Sequence, residues 1–206
     1  TSQALKHIGL PALTAPFVLV TWLMLLASYA FAGLSGTALP SGAVVGAYQA
    51  NQTAPLDILG FIQGVVKSIS QVFLKADGIA ALLLIVGLFV SSPAAAVFAI
   101  GGAILAVATA HLFGAESDLI TGGLLGFSPV LTAIALGTVF YRPSPRSAAY
   151  AALGAAFTAV TQAAMNVALT PLAIPALTAP FILVSWIFLL PRLWIEPSNP
   201  AENDTE

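Results

Sequence analysis

Six apolar stretches set the strongest limit on what this chain can fold into. A membrane-spanning α-helix needs about 20 apolar residues in a row, and several of the stretches approach that length. They cover residues 10–33, 78–90, 94–113, 128–141, 147–169 and 174–190. Only 7% of the 206 residues are charged, whereas a soluble domain carries roughly 25% because its surface faces water. The sequence therefore predicts an all-α, polytopic membrane protein whose solvent is the lipid bilayer.

The apolar stretches do not look like a row of uniform rods. Some are too short to cross a bilayer unbroken, and two contain internal prolines. Irregular backbone is tolerated at membrane depth only where it is buried in protein or lines a wet cavity. Residues 57–73 are amphipathic at helical spacing and begin with Asp57 in an N-cap position, which indicates a tilted or re-entrant helix. We therefore expect broken and re-entrant helices around a central pore.

The few charges predict an orientation. Arg142 and Arg146 flank one loop, Arg192 follows the last apolar stretch, and the opposite loop carries Glu116 and Asp118. Cytoplasmic loops of membrane proteins carry an excess of Lys and Arg. The three arginines, and with them the C-terminus, are therefore expected in the cytoplasm.

Several classes of function are disfavoured by the composition. Six Lys and Arg residues in all are too few for a nucleic-acid surface, and the absence of cysteine removes thiolate ligands and nucleophiles. The two histidines, His7 and His111, and the carboxylates of Asp77, Glu116 and Asp118 lie at segment ends rather than in clusters. We expect no enzyme activity, no catalytic residues, no metal site, no cofactor and no nucleic-acid partner.

A repeated segment carries most of the functional argument. Residues 10–26 read LPALTAPFVLVTWLMLL and residues 174–190 read IPALTAPFILVSWIFLL. Twelve of these seventeen positions are identical, at an offset of 164 residues. In a membrane protein such a duplication indicates two homologous halves about a pseudo-two-fold axis, with the solute path between them. The sequence thus predicts inverted repeats.

Threonine and proline recur in the same register in both copies. If Pro16 and Pro180 lie inside helices, each pushes away the carbonyl four residues earlier. Freed carbonyls beside the hydroxyls of Thr14 and Thr178 would form a short column of hydrogen-bond acceptors. The alternative is that both hydroxyls bond back to their own helices, which is common for threonine in membrane spans.

These residues match a known family. The pattern P-x-x-T-x-P-F stands at 11–17 and again at 175–181, residues 68–93 resemble the start of a second half with a glutamine on a pore helix, and residues 117–141 resemble a broken helix. The chain resembles the urea transporter family of the bacterial type, from the end of the first half through the whole second half. By that resemblance, residues 1–34 are the last helix of the first repeat and 35–56 are a linker. Residues 57–195 are the second repeat, a re-entrant helix with about five spans, and 196–206 are an acidic C-terminal tail.

The resemblance implies a homotrimer in the bacterial inner membrane with one pore in each protomer. Urea would pass down its gradient through a narrow aromatic slot along a ladder of oxygens. The expected pore residues are Gln71, Phe73, Leu74, Phe127, Leu131, Thr178, Phe181, Thr14 and Phe17. Gln71 is the polar mouth of the slot, Phe127 and Leu131 are walls, and the threonines are the central hydroxyls.

Three departures from the family pattern leave alternatives open. Ser128, followed by Pro129, replaces an asparagine, and Leu74 stands where an aromatic residue is frequent, so that Phe73 is a second candidate for the slot. Most of the first repeat has no counterpart in the chain. We interpret the chain as a fragment; alternatively, the missing half comes from a partner chain, or the chain is a degenerate relative of the family. The rival functions are an ammonium or small-amide channel, or a non-conducting structural membrane subunit.

Overall fold

The computed structural model describes residues 9–31, 56–75 and 77–195, without the side chains of 192–195. Helices account for most of it, and no strand occurs within these ranges. The helices are α1 (Ala15–Ala30), α2 (Ile58–Ser70), α3 (Gly78–Ser91), α4 (Pro93–Leu112), α5 (Ser117–Thr121), α6 (Phe127–Ile134), α7 (Pro145–Leu169) and α8 (Ala179–Ile195). The all-α prediction is confirmed. His7, the linker up to residue 55 and the acidic tail lie outside the described residues.

Two helices of the described part are long and apolar enough to cross a membrane. One is α4, and the other is α7 together with the 3-10 turn that follows it, Pro145–Leu172. A third span is possible if Ile58–Phe73 and Gly78–Ser91, whose axes meet at 74°, count as one broken crossing. Shorter apolar helices occupy Ala15–Ala30, Phe127–Val139 and Ala179–Pro191. The mixture agrees with the expectation of broken helices rather than uniform rods.

Side chains cap the starts of α2 and α7, where backbone N–H groups have no intrahelical partner. Asp57 accepts a hydrogen bond from the Gly60 N–H at 2.7 Å, as predicted for an N-cap. At the start of α7, the Ser144 hydroxyl accepts from the Ser147 N–H at 3.1 Å, and the Ser147 hydroxyl accepts from the Ser144 N–H at 2.9 Å. Since an unbonded N–H is costly in apolar surroundings, these caps fix where the helices begin.

The prediction of interior prolines in the repeated segment was wrong. Pro16 and Pro180 each occupy the second position of a helix, α1 and α8 respectively. The carbonyls of Ala12 and Ala176, which were expected to be free, each accept the N–H of the residue three positions later at 3.1 Å. Proline is favoured in a first turn because the missing N–H would have had no helical partner there. The prolines therefore start these helices instead of kinking them.

A left-handed leucine turns the chain just before each of the two helices. The φ angle is 48° at Leu13 and 50° at Leu177, a region that side chains other than glycine rarely adopt. The segments at Pro11 and Pro175 are consequently non-helical. Pro11 and Pro175 therefore do not share a helical face with the threonines and phenylalanines that follow them.

Small residues pack α4, α6 and α7 closely together. The buried side of α4 is a stripe of alanines with no exposed surface, Ala96, Ala99, Ala103 and Ala106. At Gly102 an added Cβ would lie 2.6 Å from the Ala133 Cβ of α6. Helices in membranes associate through such small residues because their backbones can then approach each other. The resulting core supports α6, which continues as a π-helical turn over Ala135–Val139.

Candidate functional site

Two threonine hydroxyls meet where α1 and α8 begin. Thr14 is the N-cap of α1, and Thr178 immediately precedes α8. Their Oγ1 atoms lie 2.8 Å apart, so that one hydroxyl donates to the other. The alternative expected from the sequence, a bond from each hydroxyl back to its own helix, is not what the structure shows.

Equivalent contacts hold the two copies of the repeat against each other. The Trp22 indole N–H donates to the Pro175 carbonyl at 2.8 Å, and the Trp186 indole N–H donates to the Pro11 carbonyl at 2.9 Å. The tryptophans occupy equivalent positions in the two copies, as do the prolines. Each tryptophan thus fixes the non-helical entry segment of the other copy, with the threonine pair between them.

A cavity of about 330 Å³ lies beside the threonine pair. It is lined by Thr14, Phe17, Gln71, Val72, Phe73, Leu74, Phe127, Leu131, Leu177 and Thr178. Eight of the nine residues expected in the pore are therefore brought to one cavity. Phe181 is the exception, since it is only 6% exposed and packs in an apolar cluster with Ala15 and Ile182. Its counterpart Phe17 is 52% exposed and faces the cavity.

Gln71 lies in the 3-10 turn that ends α2. Its Nε2 donates to the Gly122 carbonyl at 3.2 Å, which holds the side-chain amide in place and leaves Oε1 as an acceptor. The sequence left Phe73 and Leu74 as alternative candidates for the slot, and both line the cavity. Leu74 does so from a left-handed conformation, with φ of 56°.

A second cavity adjoins the first, and a third adjoins the second. The second, of about 310 Å³, shares Gln71, Leu74, Phe127 and Leu177 with the first and adds polar side chains from the end of α7, Gln162, Asn166 and Thr170. The third, of about 170 Å³, shares Leu119 and Asn166 with the second and reaches Glu116. The shared residues place the three cavities next to one another, in a row from the threonine pair to the loop between α4 and α5.

A hydrogen-bonded chain of buried polar groups borders the second cavity. The Ser128 hydroxyl donates to Gln162 Oε1 at 2.6 Å, and Gln162 Nε2 donates to Asn166 Oδ1 at 3.0 Å. Ser128 is fully buried and Gln162 is 1% exposed. We did not expect Gln162 and Asn166 from the sequence. The signal that could have found them was two amides four residues apart in an apolar helix, since polar residues inside a membrane are usually functional.

A second buried contact joins α6 to α7 in the same region. The hydroxyls of Thr132 and Thr158 lie 2.9 Å apart, and Thr158 also bonds the Gly154 carbonyl at 2.7 Å. Both threonines are fully buried. They hold the two helices together and, unlike Gln162 and Asn166, do not line the second cavity.

No charged side chain from the described part of the chain lines the first or the second cavity. Glu116 lines the third. Among the same residues there is no group of three or more His, Asp or Glu that could hold a metal ion. The first and second cavities are thus suited to a small neutral molecule with both donors and acceptors.

The family model described as Urea transporter matches residues 1–193. The matched range includes both copies of the repeat and all residues that line the three cavities.

Proposed function

Because the chain belongs to the urea transporter family, we propose that the row of cavities is a passive, selective path for urea. The family and the apolar helices make the chain an integral membrane protein of urea transport. The finer proposal is that urea passes through an aromatic slot along a ladder of oxygens. The observation that carries it is the threonine pair, which shares one uncharged cavity with Gln71, Phe17 and Phe127.

The chemistry of urea matches this lining. Urea is planar and neutral, with four N–H donors and one carbonyl acceptor, and stripping its water without replacement costs several kcal/mol. The oxygens of Gln71, Thr14 and Thr178 accept N–H groups, while the rings of Phe17 and Phe127 contact the flat faces. As urea moves along the cavity, its N–H groups exchange their water for these oxygen acceptors one after another.

Helix dipoles favour a neutral solute over a cation. The starts of α1 and α8 meet at the hydroxyl pair, and each helix N-terminus carries a partial positive charge of about half a unit. No carboxylate in the two inner cavities offsets that field. An ammonium ion would be desolvated there with no carboxylate from the described residues to compensate for its charge, which favours urea over the ammonium alternative.

We also propose that the two copies are inverted repeats, with an approximate two-fold axis between Thr14 and Thr178. Reciprocal contacts are what a two-fold axis generates, and the paired tryptophan bonds have that form. On this proposal residues 1–34 end one repeat and residues 57–195 form the other. A homotrimer, a bacterial inner membrane and a cytoplasmic C-terminus complete the proposed setting, on the likeness to the family.

The test is urea entry into liposomes that contain the purified chain, followed by stopped-flow light scattering. Replacement of one hydroxyl of the pair removes about one hydrogen bond, so that Thr178→Val is expected to lower urea permeability roughly tenfold. Thr161→Val is the matched control, because the Thr161 hydroxyl bonds the Phe157 carbonyl of its own helix at 2.9 Å and lines none of the three cavities. Urea entry no faster than into empty liposomes would contradict the proposal for this chain.

A further inference from the structure

Asn166 lies between the second and third cavities. It lies near the end of α7, lines both cavities, and is partly exposed. A solute that moves along the row from the Glu116 end meets this amide before it reaches Gln71. The position is therefore suited to a first contact with the solute.

The hydrogen-bonded chain behind Asn166 sets the direction of its amide. The Ser128 hydroxyl has two acceptors within reach, Gln162 Oε1 at 2.6 Å and the Leu177 carbonyl at 3.4 Å, and its single proton goes to the much closer Gln162 Oε1. Gln162 must then present its NH₂ group to Asn166, which accepts through Oδ1 at 3.0 Å. With Oδ1 engaged, Nδ2 has two N–H donors and no acceptor in the part of the chain that the structure describes. These donors are left for the cavities.

We propose, on the basis of the urea path above, that Asn166 binds the carbonyl oxygen of the solute through Nδ2. Gln162 and Ser128 are positioning residues that hold the amide in its donor orientation. The second cavity then offers two complementary groups, a fixed donor at Asn166 and a fixed acceptor at Gln71 Oε1. A urea molecule between them points its carbonyl to Asn166 and its N–H groups toward the threonine pair.

The arrangement selects neutral amides with a carbonyl oxygen. A thiocarbonyl sulfur is a weaker hydrogen-bond acceptor than oxygen, so thiourea gains less from the same N–H donors. The ratio of urea to thiourea permeability therefore reports the contact with Asn166. General damage to the protein lowers both permeabilities and leaves that ratio unchanged.

The experiment measures both permeabilities in liposomes at pH 8 for the wild-type chain, Asn166→Asp and Asn166→Leu. Aspartate has the same shape and still accepts from Gln162, but once ionised it offers no donor. Both variants are expected to lower urea permeability about three- to tenfold, the effect of one hydrogen bond, and thiourea permeability by less than about twofold. Gln162→Met, which releases the amide, is expected to lower the ratio by an intermediate factor.

The outcomes separate this inference from the proposed function. If wild-type liposomes show no urea entry above the empty bilayer, the proposed function fails and this inference fails with it. Fast wild-type entry with an unchanged ratio in both Asn166 variants overturns this inference alone. A second result also overturns this inference: urea permeability falls in Asn166→Leu and stays at the wild-type level in Asn166→Asp. An acceptor at position 166 would then be sufficient, and a donor would not be needed. The leucine variant keeps the test decisive if the aspartate variant does not fold.

Discussion

At the scale of single residues, the hydroxyl pair determines what the centre of the site can bind. The two hydroxyls lie 2.8 Å apart, so that one donates its proton to the other. The pair retains free lone pairs, and the accepting hydroxyl keeps its own O–H as one further donor. The pair can thus accept N–H groups from a solute without any charge. Apolar walls at Phe127 and Leu131 strengthen those bonds, because water competes less for them.

The shared bond leads to a prediction for the two threonines together. Thr14→Val and Thr178→Val are each expected to lower urea permeability by a similar factor, since either change breaks the same contact. The double variant is expected to lose less than the product of the two single losses, because interacting groups are not additive. Stopped-flow urea entry into liposomes measures all three. Losses that multiply would show that the hydroxyls act independently.

The amides at the end of α7 show where sequence reasoning stops at this scale. Gln71 was expected because a recognisable pattern surrounds it, and the structure places it on two of the cavities. Gln162 and Asn166 have no such pattern, and their roles depend on a partner, Ser128, that is 34 residues from Gln162 in the chain. A sequence carries no direct record of that contact. Gln162 and Asn166 were therefore missed because their partner is distant in the chain, not because of their residue type.

At the scale of helices, the close packing of α4 on α6 can be tested by single substitutions. Neighbouring glycines on α4 differ in surroundings, since an added Cβ at Gly102 would lie 2.6 Å from the Ala133 Cβ, whereas one at Gly101 meets nothing within 4 Å. The difference arises because successive residues of a helix point in different directions.

Gly102→Ala is therefore expected to destabilise the protein by about 1–3 kcal/mol through overpacking. Gly101→Ala is the matched control and is expected to be neutral or to stabilise α4 by up to about 1 kcal/mol through helix propensity. Thermal unfolding in detergent, followed by tryptophan fluorescence, measures both. Equal midpoints for the two variants would contradict the close packing of these helices.

The helices themselves were largely predictable, and their starts in the repeat were not. Apolar runs and the cap at Asp57 predicted α2, α3, α4 and α7 within a few residues. Proline fits either a kink or a first turn, so that Pro16 alone could not decide between them. The left-handed backbone at Leu13 ends the preceding segment and leaves Pro16 in the first turn of α1. A leucine in the sequence does not indicate that conformation.

At the scale of the whole chain, the reciprocal contacts between the two copies of the repeat hold the site together. The surroundings of the two copies differ, since Phe17 faces the first cavity while Phe181 is buried beside α1. Many large apolar side chains on α1 and α3 are exposed, among them Leu23, Met24, Leu82 and Leu83. An integral membrane protein presents such faces to lipid or to neighbouring helices. The orientation of the whole chain in the bilayer then rests on its few charges.

Positive-inside sorting predicts that orientation, with the loop at Arg142 and Arg146 in the cytoplasm and the loop between α4 and α5 outside. The chain has no cysteine, so that a single introduced thiol reports one loop. Phe113 and Pro143 are both exposed, one in each loop. With a membrane-impermeant maleimide added to intact spheroplasts, Phe113→Cys is expected to be labelled and Pro143→Cys to be protected until the membrane is opened. Labelling of Pro143→Cys alone in intact spheroplasts would invert the orientation and place the Asn166 end of the cavity row in the cytoplasm.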